Sequence, residues 1–142
     1  MTDLQGAVGL VQLEKMEQFI SERQRWADFY QKELASIEWL KTPAVPADCK
    51  HGWQAYVCFV DESKAPFFRN ETMEKLQAKG IHTRPGTHAV HLLGYYRERF
   101  GFEPDDFPNS KLANDCSMAI PLHNRMSAED HEYVVECLCE MA

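Results

Sequence analysis

The apolar positions between residues 2 and 36 follow helical spacing, and we predict one long helix over this range. Thr2 followed by Gln5 forms a capping-box pattern, in which each side chain binds a free backbone amide at the helix start. Apolar side chains then recur every three to seven positions, at Leu13, Met16, Ile20, Ala27, Tyr30 and Leu34. The later turns of this helix are therefore expected to turn an apolar face toward a core.

The first turns of the same helix, "LQGAVGLVQL" at residues 4–13, are apolar on nearly every side and include Gly6 and Gly9. A helix that is apolar all round is normally buried all round, and small residues allow another backbone to approach closely. We therefore expect further protein to cover this stretch, supplied either by a second copy of the chain or by a larger domain.

Beyond residue 36 the pattern alternates between short strands and helices. Strands are predicted at 37–40, 53–62, 81–85 and 117–122, with a proline-containing loop at 42–52. Helices are predicted at 66–79, 90–100, 107–116 and 127–141. Gly80 ends the first of these helices, while Ser127 and Asp130 form a capping box at the last one. Five residues of the last helix are expected to face inward: Tyr133, Val134, Cys137, Leu138 and Met141.

This order predicts an α+β protein with helices packed over a small sheet. We divide it into a linking helix at 1–36 and a small domain at 37–142, which together form one compact unit. The tryptophans Trp26, Trp39 and Trp53 are expected to be core or interface anchors.

Charge and cysteine content narrow the class of protein. The chain has 142 residues, of which 15 are basic and 22 acidic, giving a net charge of −7. An acidic domain is poorly suited to coat nucleic acid or an anionic membrane, and neither a membrane-spanning run nor a signal peptide is evident. Five irregularly spaced cysteines argue against a disulfide framework, so a reducing cytoplasm is predicted.

Common catalytic templates are missing, including the G-x-S-x-G, phosphate-loop and H-E-x-x-H patterns. The pairs Cys49 with His51 and Cys137 with Cys139 do not match structural zinc spacings, and no metal is predicted. His51, His82, His123 and His131 are expected to be surface or core histidines.

The stretch at residues 80–102 is the richest in candidate chemistry. His88 and His91 are three residues apart, so they share one side of a helix or turn, where they could bind a metal, face a polar ligand or remain on the surface. Arg84 precedes a Pro-Gly pair at a strand end, where it could meet an anion or simply solvent.

Three blocks of the sequence resemble the last third of one family. They are "MTDLQGAVGLVQLEKM", "GIHTRPGTHAVHLLGYYRERFGFEPDDFPNS" and "MAIPLHNRMSAED", in the family's order and spacing. Together they resemble the DegT/DnrJ/EryC1/StrS pyridoxal-phosphate-dependent nucleotide-sugar aminotransferases, particularly the perosamine-synthetase-like members. The resemblance implies the small domain of a fold-type-I aminotransferase, in which a long N-terminal helix precedes a small antiparallel sheet covered by helices.

The same resemblance limits what this chain is expected to do alone. The family's Schiff-base lysine, the aspartate at the pyridine nitrogen and most phosphate-binding groups precede the first block, and none of the eight lysines here has a matching context. Transamination needs a lysine that holds the cofactor as an imine. We therefore expect no catalytic residue and no cofactor bound by this chain alone, with pyridoxal phosphate belonging to the complete enzyme.

Substrate contacts are implied for one segment only. His91 takes the position of the family's Pro-Leu-His histidine, close to the sugar-nucleotide side of the site, although Ala89 and Val90 replace the Pro-Leu. Arg84, Thr87, His88 and Tyr95 are the neighbours expected to line or support the same rim. Three hypotheses remain: a catalytically silent aminotransferase domain, a self-associating assembly module, and a non-catalytic nucleotide-sugar binder.

Overall fold

The computed structural model describes all 142 residues and contains six α-helices and four short strands. The helices are α1 Asp3–Glu14, α2 Met16–Glu33, α3 Arg69–Ala78, α4 Gly94–Phe100, α5 Pro108–Cys116 and α6 Ala128–Cys139. The strands are β1 Leu40–Lys41, β2 Tyr56–Val60, β3 Arg84–Pro85 and β4 Ser117–Ile120. Short 3₁₀ turns occur at Leu34–Ser36, Val90–Leu92 and Pro104–Asp106.

The four strands form one sheet in the order β1-β2-β4-β3, and every neighbouring pair is antiparallel. The predicted α+β class with a small antiparallel sheet is confirmed. Tyr56 lies opposite Ile120 and Cys58 opposite Met118, so these side chains share one face of the sheet. That face is buried beneath helices.

The core joins this sheet face to the apolar sides of α2, α3 and α6. Its members include Ala27, Tyr30, Leu34, Tyr56, Cys58, Val60, Leu76, Met118, Val134, Cys137 and Leu138. Trp39 and Trp53 are buried, and Trp26 packs against the cluster, so all three tryptophans are anchors as predicted. On the opposite sheet face, Val57, Phe59 and Ala119 are only half-buried.

The predicted helix at 2–36 is divided in two at Lys15. The Lys15 amide turns back to the Gln12 and Leu13 carbonyls, and a new helix starts at Met16. Contacts with the rest of the fold begin near Phe19, whose carbonyl accepts a hydrogen bond from the Asn124 side chain. Helix α1 buries no residue, so no tertiary contact keeps the two helical axes in line.

The other boundary differences have similar causes. The strand predicted at 53–62 begins only at Tyr56, because Trp53 has a positive φ of 45° that an extended strand does not allow. The helix predicted at 90–100 is interrupted by the extended backbone of Leu93. Tyr133, predicted to face inward, is 44% exposed because its hydroxyl reaches the Lys79 carbonyl at the protein surface.

Both predicted capping boxes are present, at Thr2 with Gln5 and at Ser127 with Asp130. Gly80 follows the end of α3 with a φ of 81°, a left-handed conformation that glycine adopts without strain. No helix in the structure has the length and apolar character needed to cross a bilayer.

Candidate functional site

The segment from Gly80 to Phe102 crosses the sheet edge as β3 and then forms α4. Gly86 fixes its path, because its amide donates to the Ser117 carbonyl at 3.0 Å. A Cβ atom on Gly86 would lie 2.5 Å from Val57 Cγ1 and 2.7 Å from Ser117 Oγ. The chain therefore passes directly against β2 and β4 at a point that only glycine can occupy without displacing its neighbours.

His91 points into the protein. It is 5% exposed, its Nε2 lies 3.2 Å from the Pro104 carbonyl oxygen, and its ring centroid is 5.0 Å from that of Phe107. A carbonyl only accepts, so the proton sits on Nε2. In this chain His91 joins the two ends of the segment around α4, and its contact with a substrate stays a prediction.

The other four predicted rim residues lie at the surface. Arg84, Thr87, His88 and Tyr95 are exposed, and none of their side chains makes a hydrogen bond or ion pair within the chain. Only Arg84 lines the large cleft described next. The structure thus places these four residues on one exposed segment but does not gather them around one cavity.

That cleft, which the sequence did not reveal, has a volume of about 590 Å³. It lies between residues 80–84, the end of β4 and the first turns of α6. Its lining is mainly apolar and includes Ile81, Ala119, Ile120, Leu122, Met126 and Val134. Arg84, His82, His123 and Asp130 provide polar groups. The lining comes from four separated parts of the chain, so no local sequence pattern could have predicted the cleft.

A buried polar cluster lies on the helical side of the sheet. His131 is 0% exposed, and its Nδ1 lies 2.9 Å from the Tyr30 hydroxyl, which itself donates to the Pro121 carbonyl at 2.9 Å. The hydroxyl donates its only proton to the Pro121 carbonyl, so it can only accept from His131, and Nδ1 must carry the proton of the neutral ring. Nε2 of His131 is buried and has no hydrogen-bond partner. The His131 ring also stacks on Trp26 with centroids 4.1 Å apart.

Burial lowers the pKa of His131 to about 4, and it raises the pKa of Tyr30 above its usual value. The cluster is therefore neutral around pH 7. It joins α2 to α6 and to the end of β4, a structural role that agrees with the prediction of a core histidine.

The eight lysines of this chain lie at or near its surface. Six of the eight form surface ion pairs: Lys32, Lys41, Lys64, Lys75, Lys79 and Lys111. Lys79 and Lys111 donate hydrogen bonds to the Glu140 and Asp115 carboxylates. These bonds raise the pKa of both amines, which keeps them charged. An imine-forming lysine needs the opposite, a lowered pKa in a desolvated pocket. No lysine lines the cleft, so no cofactor step is assigned to this chain.

No three His, Cys, Asp or Glu side chains converge on one point. All five cysteines are free thiols. Burial raises the pKa of the Cys58 thiol to about 12, so it remains a neutral core side chain.

Comparison with known proteins finds several that are similar to this chain in sequence or in fold. Spore coat polysaccharide biosynthesis protein SpsC of Bacillus subtilis (strain 168) is 36% identical over 139 residues, which are 97% of this chain and 36% of the relative. Aminotransferase TlmJ from Streptoalloteichus hindustanus is 26% identical to this chain, with a TM-score of 0.80. The match covers 92% of this chain and 34% of the TlmJ chain. Spr1654 from Streptococcus pneumoniae, in its PLP form, is 23% identical to this chain, with a TM-score of 0.88. The match covers 99% of this chain and 36% of the Spr1654 chain.

The likeness to Spr1654 concerns the fold alone, and the chain spans about a third of the length of these proteins. The model of the DegT/DnrJ/EryC1/StrS aminotransferase family matches residues 1–139. The fold and the match over nearly every residue lead to one conclusion: this chain belongs to the DegT/DnrJ/EryC1/StrS aminotransferase family.

Proposed function

We propose that this chain is the small C-terminal domain of a nucleotide-sugar aminotransferase, with residues 1–36 as the linking helix and 37–142 as the domain. The observation that carries the proposal is the family match over residues 1–139 in a chain that spans about a third of its relatives. A role in amino-sugar or surface polysaccharide synthesis is supported by the name of SpsC, which refers to spore coat polysaccharide.

In this proposal the segment from Arg84 to Tyr95 forms one wall of a sugar-nucleotide site. Thr87, His88 and Tyr95 support it, because they are exposed and free to contact a ligand or a second domain. Gly86 and the buried His91 hold this segment in place from below. His91 itself is proposed for the sugar-nucleotide side on its family position.

The chain alone is proposed to be catalytically silent, because none of its lysines lines the cleft or matches the context of the family's Schiff-base lysine. Incubation with pyridoxal phosphate followed by borohydride reduction tests this directly. Mass spectrometry should find no stoichiometric adduct on a single lysine, whereas a complete family member treated in parallel should carry one. A single fully labelled lysine in the 142-residue chain would contradict the proposal.

The domain assignment has its own genetic test. The DNA upstream of the Met1 codon should encode an aminotransferase large domain, either in the same frame or as an adjacent gene. Its product, expressed together with this chain, should form a complex that binds pyridoxal phosphate. An unrelated gene upstream, with no large domain elsewhere in the genome that binds this chain, would refute the assignment.

Self-association is a second candidate function, and the surface of α1 favours it. Leu4, Val8, Leu10, Val11 and Leu13 are between 49% and 77% exposed. Contiguous apolar side chains on this scale mark an interaction surface. In the aminotransferase proposal the large domain or a partner subunit would cover the helix, so the two functions are compatible. A reducing cytoplasm remains the predicted location.

A further inference from the structure

The cleft beside β3 exists because two chain segments diverge there. Strand β3 pairs with β4 at only two positions, Arg84 with Ala119 and Pro85 with Met118. The preceding residues, His82 and Thr83, make no hydrogen bond within the chain through their backbone groups. Their amides and carbonyls therefore remain available at one side of an opening that a longer strand would have closed.

The floor of the cleft is preformed and apolar. Ile81, Ile120, Leu122 and Val134 line it, and each is buried because the core packs behind them. A volume of about 590 Å³ falls in the range typical of sites for small organic molecules. The floor suits a hydrocarbon or aromatic body better than a sugar, whose hydroxyls would lose water without gaining partners.

Two side chains around the cleft have hydrogen-bond donors that are free. The Arg84 guanidinium has no acceptor in the chain. His123 Nδ1 accepts from the Arg125 amide at 3.2 Å, so the proton of the neutral ring lies on Nε2, which is free to donate.

The Asp130 carboxylate and the Tyr133 phenol, which also line the cleft, each make a hydrogen bond within the chain, and Oδ1 of Asp130 has no partner. Asp130 Oδ2 accepts from the Ser127 amide at 2.8 Å, and the Tyr133 hydroxyl donates to the Lys79 carbonyl at 3.2 Å. A cation without a counter-ion beside an apolar floor is complementary to an anion with an apolar body. Arginine binds carboxylates in two-point geometry.

We propose that this cleft is a binding site for a small monocarboxylate with an apolar body, whose carboxylate meets Arg84 and whose body lies on the Ile81, Ile120 and Val134 floor. The site is separate from Thr87, His88 and Tyr95, which do not line the cleft. It does not depend on the aminotransferase proposal, since every group that it uses belongs to this chain.

Titration calorimetry on the 142-residue chain with octanoate and octanamide tests the charge requirement. The two probes have the same eight-carbon chain, and only octanoate is charged. We expect saturable binding of one octanoate, and about tenfold weaker binding of octanamide, the factor typical for one charge-assisted hydrogen bond. Absence of saturable binding, or equal affinity for the two probes, would overturn the proposal.

The location is tested with variants and methyl NMR. Arg84→Gln should bring the octanoate-to-octanamide affinity ratio close to one, whereas Arg97→Gln, a matched exposed arginine outside the cleft, should leave it unchanged. Octanoate should shift the methyl signals of Ile81, Ile120 and Val134 in the unmodified chain. Shifts confined to the exposed leucines and valines of α1 would show a different site and reject the proposal, whatever the variants do.

Discussion

The buried His131 should make the stability of this protein depend on pH above the range in which carboxylates titrate. The native pKa is lowered to about 4, while an unfolded histidine titrates near 6.5. Between these two pKa values the histidine is protonated in the unfolded chain but neutral in the native chain. The stabilisation is complete above pH 6.5 and is lost as the pH falls toward the native pKa.

The size of the effect follows from these two values. The 2.5-unit difference corresponds to about 3 kcal/mol in full, of which about 2 kcal/mol is already lost at pH 5. The cause lies in the geometry of the ring. Protonation would add a proton at Nε2, which is buried without an acceptor. Among charged neighbours Asp130 favours the protonated form, while His123 and Arg25 oppose it.

Urea unfolding at pH 7.5, 6.0 and 5.0, followed by circular dichroism, measures the dependence. His131→Asn places an amide donor near the position of Nδ1 and so keeps a partner for Tyr30, but it cannot titrate. It should be less stable at pH 7.5, because it loses the stacking on Trp26, yet its free energy of unfolding should fall by about 2 kcal/mol less than that of the unmodified chain between pH 7.5 and 5.

The control is His88→Asn, at an exposed histidine without hydrogen bonds, and it should retain the full pH dependence. The reasoning fails if His131→Asn loses as much stability between pH 7.5 and 5 as the unmodified chain does. It also fails if His88→Asn removes the dependence, since the responsible proton would then bind elsewhere.

Three other perturbations have defined outcomes. Gly86→Ala should lower the free energy of unfolding by about 1–3 kcal/mol, measured as a lower midpoint of thermal unfolding, because the new Cβ meets two strands. In Gly94→Ala the new Cβ meets nothing within 4 Å, so this variant should be as stable as the unmodified chain or more stable. Arg69→Ala should cost about 2–3 kcal/mol in urea unfolding, because the guanidinium satisfies the Asp115 and Asn114 carbonyls at the end of α5; an unchanged midpoint would contradict this. Leu4→Glu combined with Leu10→Glu should abolish concentration-dependent light scattering without changing the unfolding midpoint, since α1 buries nothing; scattering that persists would exclude α1 as the contact.

Local features of this fold could be predicted from the sequence because their causes lie within a few residues. The capping boxes at Thr2 and Ser127 need only a side chain and the amide three positions on. Gly80 ends α3 through its own backbone freedom. The alternation of Tyr56, Cys58 and Val60 marks one face of a strand wherever that strand packs.

The family resemblance identified candidate site residues that periodicity alone did not, but it did not reveal which of their side chains point outward. His91 is turned inward by Pro104 and Phe107, residues 13 and more positions away, while His88 remains outside. Spacing places the two histidines on one side of a turn, and the outcome depends on what packs against that turn.

The sequence by itself determined the order of the elements, their caps and the apolar faces, since those depend on steric and hydrogen-bonding preferences within single turns. Tertiary structure decided the proton position on His131 and the cleft beside β3. The His131 proton depends on Tyr30, 101 residues away, and the cleft depends on where β3 stops pairing with β4. Such features arise where distant segments meet, because burial and the competition for hydrogen-bond partners are set only once the chain is packed.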